Sequence, residues 1–167
     1  MRTTKGFISV IALTLGLAAA AAAQSLTSLD GSRVDISAQK GKVVVLAVGA
    51  SWLPLSAKQA DYTNALAKKY AGKDVVFYFV ATDSTNSRSK NFASDETLRK
   101  FAFDNKLTVP VLRDADGIAT LKKYGIDQVP SFVILNKAGG QSGESFGGID
   151  PKYDITIPIS KAIDKLL

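Results

Sequence analysis

The chain contains no cysteine and no histidine, and it has a single methionine and a single tryptophan. These absences exclude more chemistry than any motif supplies. Without thiolate or imidazole there is no metal site built on those ligands, no disulfide, no haem ligation by Cys or His, and no imidazole to activate a nucleophile. The one methionine is Met1, so everything after it is free of sulfur. No metal and no cofactor are expected. Charge of one sign is not concentrated either. The 21 Lys and Arg outnumber the 15 Asp and Glu, but the excess is dispersed along the chain, and no basic block argues for nucleic acid.

What is present is a chain of 167 residues, 46% of them hydrophobic. That is too apolar for disorder and long enough to bury one core without staples. The first 23 residues have the layout of a secretory leader: Arg2 and Lys5, an apolar stretch from Phe7 to Leu17, then Ala21-Ala22-Ala23 ahead of Gln24. An uncleaved anchor is the alternative, but the 18 residues from Gly6 to Ala23 sit at the bottom of the spanning range and end in weakly hydrophobic alanine. The expectation is a leader over 1–23 and one domain over 24–167, periplasmic or secreted, with no integral membrane segment after cleavage. With no cysteine to acylate, a lipoprotein is excluded. Loss of Arg2 and Lys5 would leave 19 basic against 15 acidic residues.

Beyond the leader the pattern alternates between strand and helix. Ser25 to Ile36 reads as a hairpin about Asp30-Gly31. Val43 to Val48 is a continuous apolar run, as in a strand covered on both faces. A loop to Ser56 leads into a helix to about Tyr70, with Tyr62, Ala65, Leu66 and Tyr70 at helical spacing. Val75 to Val80 is a second buried strand. Thr82 to Ser94 reads as an exposed polar loop, and Ser94 caps the helix carrying Leu98, Phe101 and Ala102. A short extended piece at Val109 to Leu112 precedes a brief helix from Ile118 to Tyr124. Val129 to Leu135 is a strand, Ser142 to Phe146 an edge strand. A last helix is expected to be capped by Asp150 with Pro151 at its first position, kinked or restarted at Pro158, and striped by Ile159, Ile163, Leu166 and Leu167. The order implies an α/β sandwich about a mixed sheet.

Three segments, in order, carry a resemblance. Trp52-Leu53-Pro54-Leu55-Ser56 follows a strand and opens a helix; Val109-Pro110-Val111-Leu112-Arg113-Asp114 precedes Asp116-Gly117; Gly125-Ile126-Asp127-Gln128-Val129-Pro130 enters an apolar strand. Together with the N-terminal hairpin ending at Lys40-Gly41-Lys42, they resemble the thioredoxin-like superfamily, in particular exported thiol–disulfide reductases and the redoxin/alkyl hydroperoxide reductase (thiol-specific antioxidant) group. The resemblance covers about Ser25 to Leu167. It implies a thioredoxin-like α/β sandwich, a mixed central sheet flanked by helices, with an N-terminal β-hairpin extension. It also implies a cis Val129–Pro130 bond, which the residues themselves do not dictate.

The departure from that family bears on function. Its active segment reads Trp-Cys-x-x-Cys, and here Leu53 and Ser56 stand at the two cysteine positions. Leu53 cannot ionise, and a serine hydroxyl is too weakly acidic to act without an activating base. Thiol–disulfide exchange and peroxide reduction through a sulfenic acid are both closed to these residues. What the resemblance leaves is a groove. Trp52, Leu53, Pro54, Leu55, Ser56, Val129 and Pro130 are candidate binding residues for an extended segment of an envelope protein, with strand-like pairing at the residue before the proline. Against this stands a simpler reading, in which Leu53 and Leu55 only fill space. The rival from the enzyme class is a remnant oxidoreductase or antioxidant acting with a bound cofactor or a partner's cysteines.

Other motifs have plainer explanations. Ser56 and Lys58, two apart on a helix, point about 200° apart and make no Ser–Lys pair. Asp114-x-Asp116-Gly117 opens like a calcium loop but lacks the later ligands, so it reads as a turn. Arg88 and Lys90 in the polar loop suggest an anion site less well than they suggest an ordinary surface loop.

Overall fold

The computed structural model describes residues 25–150 and 152–167. The expected leader over 1–23 lies outside the described residues, as does the expected helix start at Pro151. Among the described residues no helix is long and apolar enough to cross a membrane.

Seven strands form one sheet in the order β2-β1-β5-β4-β3-β6-β7. They are β1 (Ser25–Ser28), β2 (Arg33–Asp35), β3 (Val43–Gly49), β4 (Val75–Ala81), β5 (Val111–Arg113), β6 (Ser131–Leu135) and β7 (Phe146–Gly147). The helices are α1 (Ser56–Lys69), α2 (Asp95–Asp104), α3 (Ile118–Tyr124) and α4 (Thr156–Asp164). Parallel pairing joins β3 to β4 and β4 to β5, while β1–β2, β1–β5, β3–β6 and β6–β7 are antiparallel. This is the mixed sandwich implied by the order of elements.

The seven residues of β3 are all buried, because the pleat sends alternate side chains into two covered layers. Val43, Val45 and Ala47 enter one core layer with Tyr62, Leu66, Leu98, Ile159 and Ile163, from α1, α2 and α4. Val44, Leu46 and Val48 enter the other with Leu26, Ile36 and Tyr124. Ser94 caps α2 as expected, its side chain accepting from the Thr97 N–H at 3.1 Å.

Four details differ from the sequence reading. In α1 the buried face includes Tyr62, Thr63 and Leu66 while Ala65 is exposed, since two hydroxyls and an amide share the inward stripe with the apolar groups. The segment from Thr82 to Ser94 is not wholly exposed: Asp83, Ser84 and Ala93 are buried, and Ser84 N–H to Asn91 O (2.9 Å) and Ala93 N–H to Ser84 O (3.1 Å) close it on itself. The terminal edge strand is only Phe146–Gly147, and β6 begins at Ser131 rather than Val129.

Finally, α4 starts at Thr156. Asp150 closes a local turn by accepting from the Lys152 N–H at 2.8 Å, and Asp154 does the same for Thr156 at 2.9 Å. Pro158 falls in the first turn, where an N–H has no intrahelical acceptor, so of the two expectations it marks a helix start and not a kink. Leu167, past the helix end, is exposed and not part of the stripe.

Candidate functional site

The parallel strands β3, β4 and β5 all end at one rim of the sheet, and antiparallel β6 begins there. The segment singled out in the sequence lies on this rim. After Gly49 the chain turns tightly, with Leu53 N–H bonded to Ala50 O (3.2 Å), Ser56 N–H to Leu53 O (3.1 Å) and Gln59 N–H to Leu55 O (2.9 Å). These bonds run the turn directly into α1, which has no side-chain cap at Leu55.

Exposure divides the segment. Trp52 is 51% exposed and Pro54 is exposed, Leu53 and Leu55 are half-buried, and Ser56 is fully buried. On the β6 side, Val129 is half-buried, Pro130 is buried, and the Val129–Pro130 peptide bond is cis. The register pairs of β3 with β6 stop at Val48–Ser131, so Val129 lies outside the ladder.

The apolar members do not merge into one cluster. Leu55 packs against the layer formed by α1, α2 and α4, whereas Val129 packs against the opposite layer. Both belong to the end of the sheet where β3 stops and β6 begins, and Trp52, Leu53 and Pro54 follow that same end of β3. Pro130, expected among the contact residues, is buried, and so is Ser56. The reason is the helical start at Ser56, which turns its hydroxyl inward over β3.

Two supporting residues are not among those the sequence singled out. Asp83, fully buried just beyond β4, accepts from the Ser51 N–H at 3.1 and 3.0 Å and from the Ser51 hydroxyl at 2.6 Å. It ties the turn before Trp52 to the adjacent strand. Gln59, also fully buried, donates from Nε2 to Val48 O at 3.1 Å and to Ser131 O at 2.8 Å. One amide thus locks α1 to both β3 and β6, one residue from Pro130. The available hints were a Gln three and seven residues before Tyr62 and Leu66, on their helix face, and an Asp just past an unbroken apolar run.

Gly49 makes room for this arrangement. A Cβ there would stand 2.3 Å from Gln59 Oε1 and 3.2 Å from Ser56 Oγ. Around it the buried Ser56 Oγ, Gln59 Oε1 and Ser131 Oγ have no protein hydrogen-bond partner. Their chemistry is neutral. Lys58 sits with its Nζ 4.8 Å from the centre of the Tyr62 ring, and among the described residues no side chain bonds to Ser56 Oγ, so the serine lacks the adjacent base that activates a hydroxyl nucleophile. Among the described residues no group of three or more Asp and Glu could hold a metal ion. Asp114 instead caps α3, accepting from Ala119 and Thr120 N–H groups at 3.2 and 2.6 Å.

A polar crevice of about 660 Å³ lies elsewhere, between Tyr124, Asp127, Gln141 and Glu144. The Tyr124 hydroxyl beside it is itself buried without a partner, and burial pushes its pKa up to about 12. That phenol stays protonated and is no base.

Comparison with known proteins agrees with this architecture. The family model described as Redoxin matches residues 16–140. The thiol-disulfide oxidoreductase ResA of Bacillus thuringiensis subsp. konkukian (strain 97-27) is 29% identical over 114 residues, 68% of this chain and 60% of the relative. The thioredoxin-like protein YneN of Bacillus subtilis (strain 168) is 31% identical over 115 residues, covering 69% and 62%. The pneumococcal exposed lipoprotein thioredoxin Etrx1 of Streptococcus pneumoniae strain TIGR4 superposes with a TM-score of 0.68 at 27% identity, over 87% of this chain and 100% of that one. The match spans about three-fifths of the curated relatives' length.

Proposed function

The chain belongs to the redoxin family, with a thioredoxin-like fold, and from that premise we propose that it is a non-catalytic binding module that holds an extended segment of a partner protein at the Trp52 rim. One observation carries the reading: the turn, the helix start and the Val129–Pro130 segment are kept, while Leu53 and Ser56 occupy the cysteine positions. Related proteins described as thiol-disulfide oxidoreductases work through sulfur, and these 167 residues contain no cysteine with which to do so.

Binding needs no sulfur. Val129 lies beyond the last β3–β6 register pair, a position suited to backbone pairing with an added strand. Trp52 and Pro54 supply exposed apolar surface at the same end of the sheet, and a tryptophan at the centre of a contact is a favoured anchor. Buried Asp83 and Gln59 hold the rim rigid, which lowers the entropy lost on docking. The place of action belongs to the same proposal: residues 1–23 serve as an export leader, the domain runs over 24–167, and the partner is an envelope protein.

Trp52 is the single tryptophan, so its fluorescence reports on the rim directly. Short unstructured apolar peptides titrated into the protein should shift its emission to the blue. Leu53→Asp should abolish the shift, and Trp52→Ala should abolish retention on an array of the same peptides. Retention unaffected by both substitutions would end the docking reading. Separately, reduction of a disulfide substrate well above a boiled control would overturn the non-catalytic assignment.

A further inference from the structure

We propose that the end of the molecule opposite Trp52 is an electrostatic docking face for an anionic lipid bilayer. The inference rests on no part of the peptide-binding reading.

Four separated stretches meet at that end. Lys40 and Lys42 precede β3, and the intervening Gly41 N–H donates to Lys137 O at 2.8 Å, beyond the end of β6. Val43 N–H donates to Asp74 O at 2.8 Å, which brings in Lys73 and, through the Lys73 N–H to Tyr70 O bond of 3.0 Å, the α1 terminus with Lys68 and Lys69. The Tyr70 hydroxyl donates to Ser160 O at 3.1 Å and to Asp164 Oδ1 at 2.7 Å, adding the end of α4 with Lys161 and Lys165. Lys137 Nζ closes the ring by donating to Leu167 O at 3.0 Å.

Eight lysines are gathered, and on the same stretches the only acidic residues are Asp74 and Asp164. Seven of the eight are exposed, Lys137 being the half-buried one. Among the described residues none of the eight pairs with an Asp or Glu carboxylate, and only Lys137 meets an acidic group, the terminal carboxyl oxygen of Leu167. Elsewhere in residues 25–167 the balance reverses, 11 basic against 13 acidic. The excess positive charge of the domain is therefore a property of one pole.

The composition of that pole selects its partner. All eight cations are lysine, a strongly hydrated point charge, and none is arginine, whose planar fork reads phosphate in fixed geometry. The one aromatic ring on these stretches, Tyr70, is buried, so there is no platform on which bases could stack. A dispersed lysine ring suits the diffuse field of anionic headgroups, to which each lysine adds independently. Docked this way, the domain would hold the Trp52 rim away from the bilayer by the length of β3, about 20 Å.

The full chain should be sedimented with vesicles of phosphatidylglycerol and phosphatidylcholine in equal parts, and with phosphatidylcholine alone, so that any contribution of the apolar N-terminal residues cancels. Tighter binding to the anionic vesicles, lost as salt is raised, is expected. Replacing Lys40, Lys68, Lys73 and Lys165 together by Gln should weaken that binding by about fivefold per lysine. The same change at Lys58, Arg88, Lys90 and Lys152, which belong to the start of α1, the segment after the rim end of β4 and the turn against Tyr62, should weaken it several times less. Equal losses from the two sets, no preference for anionic vesicles, or tighter lysine-dependent binding to single-stranded RNA would each overturn the proposal.

Discussion

Leu53 and Ser56 differ in what they make of their positions. Leu53 remains half-exposed on the turn, while Ser56 is buried beneath it, joined to Leu53 only through the 3.1 Å backbone bond. The turn thus preserves the spacing that a dithiol requires. The double variant Leu53→Cys, Ser56→Cys should form a disulfide on mild oxidation and acquire turnover in a disulfide-reduction assay. An inert, unoxidisable double variant would show that the turn no longer brings the two positions within reach. Asp83 supplies the second test at this scale. Asp83→Ala leaves the Ser51 N–H and hydroxyl without their carboxylate, and hydrogen bonds to a charged group contribute about 1.5–3 kcal/mol. Urea unfolding should show a loss of about 2 kcal/mol, with Trp52 emission shifted in the folded state. Gly49→Ala should cost a similar amount, about 1–3 kcal/mol, because the new methyl collides with a Gln59 amide already held at two carbonyls.

At the scale of elements, the hairpin of β1 and β2 has an acid-sensitive turn. The Ser28 hydroxyl, foremost, and the Ser32 N–H donate to the Asp30 carboxylate, which lowers its pKa from 3.8 to about 2. A carboxyl depressed on folding stabilises the folded state fully above its unfolded value and loses that contribution as pH falls through the folded one. Side-chain NMR should place the Asp30 midpoint near 2, and Ser28→Ala should move it back toward the ordinary value. The strands and three of the four helices are legible in the sequence, since buried strands read as unbroken apolar runs and Ser94 and Gly125 punctuate helices by their own local chemistry. The start of α4 was not, because Asp150, Asp154 and Pro158 are all reasonable punctuation and only the packing of Ile155, Ile159 and Ile163 chooses among them. The rim was legible in part. Trp52 to Ser56 stand out as a motif, but which of them face outward depends on the inward turn of α1.

Over the whole molecule the sheet is continuous; the layer with Leu26 and Ile36 takes in the N-terminal hairpin, and the other takes in α4 through Ile159 and Ile163. Even the outlying hairpin is tied in, with Leu26 and Ile36 in one core layer and the Arg99 guanidinium donating to Leu29 O. Thermal unfolding should therefore be a single transition. Far-UV circular dichroism and near-UV tyrosine signals are expected to coincide; an early separate loss of strand signal would mark the hairpin as an independent unit.

The sequence by itself determined which reactions are closed, because an element that is missing from the chain is missing in every fold of it. It also determined the alternation of strand and helix, which rests on periodicity over a few neighbouring residues. Only the tertiary structure decided that Asp83 reaches Ser51, that Gln59 joins β3 to β6, and that lysines scattered over four stretches share one pole. Those arrangements depend on strand register and on crossovers between distant segments, and no local pattern along the chain encodes them.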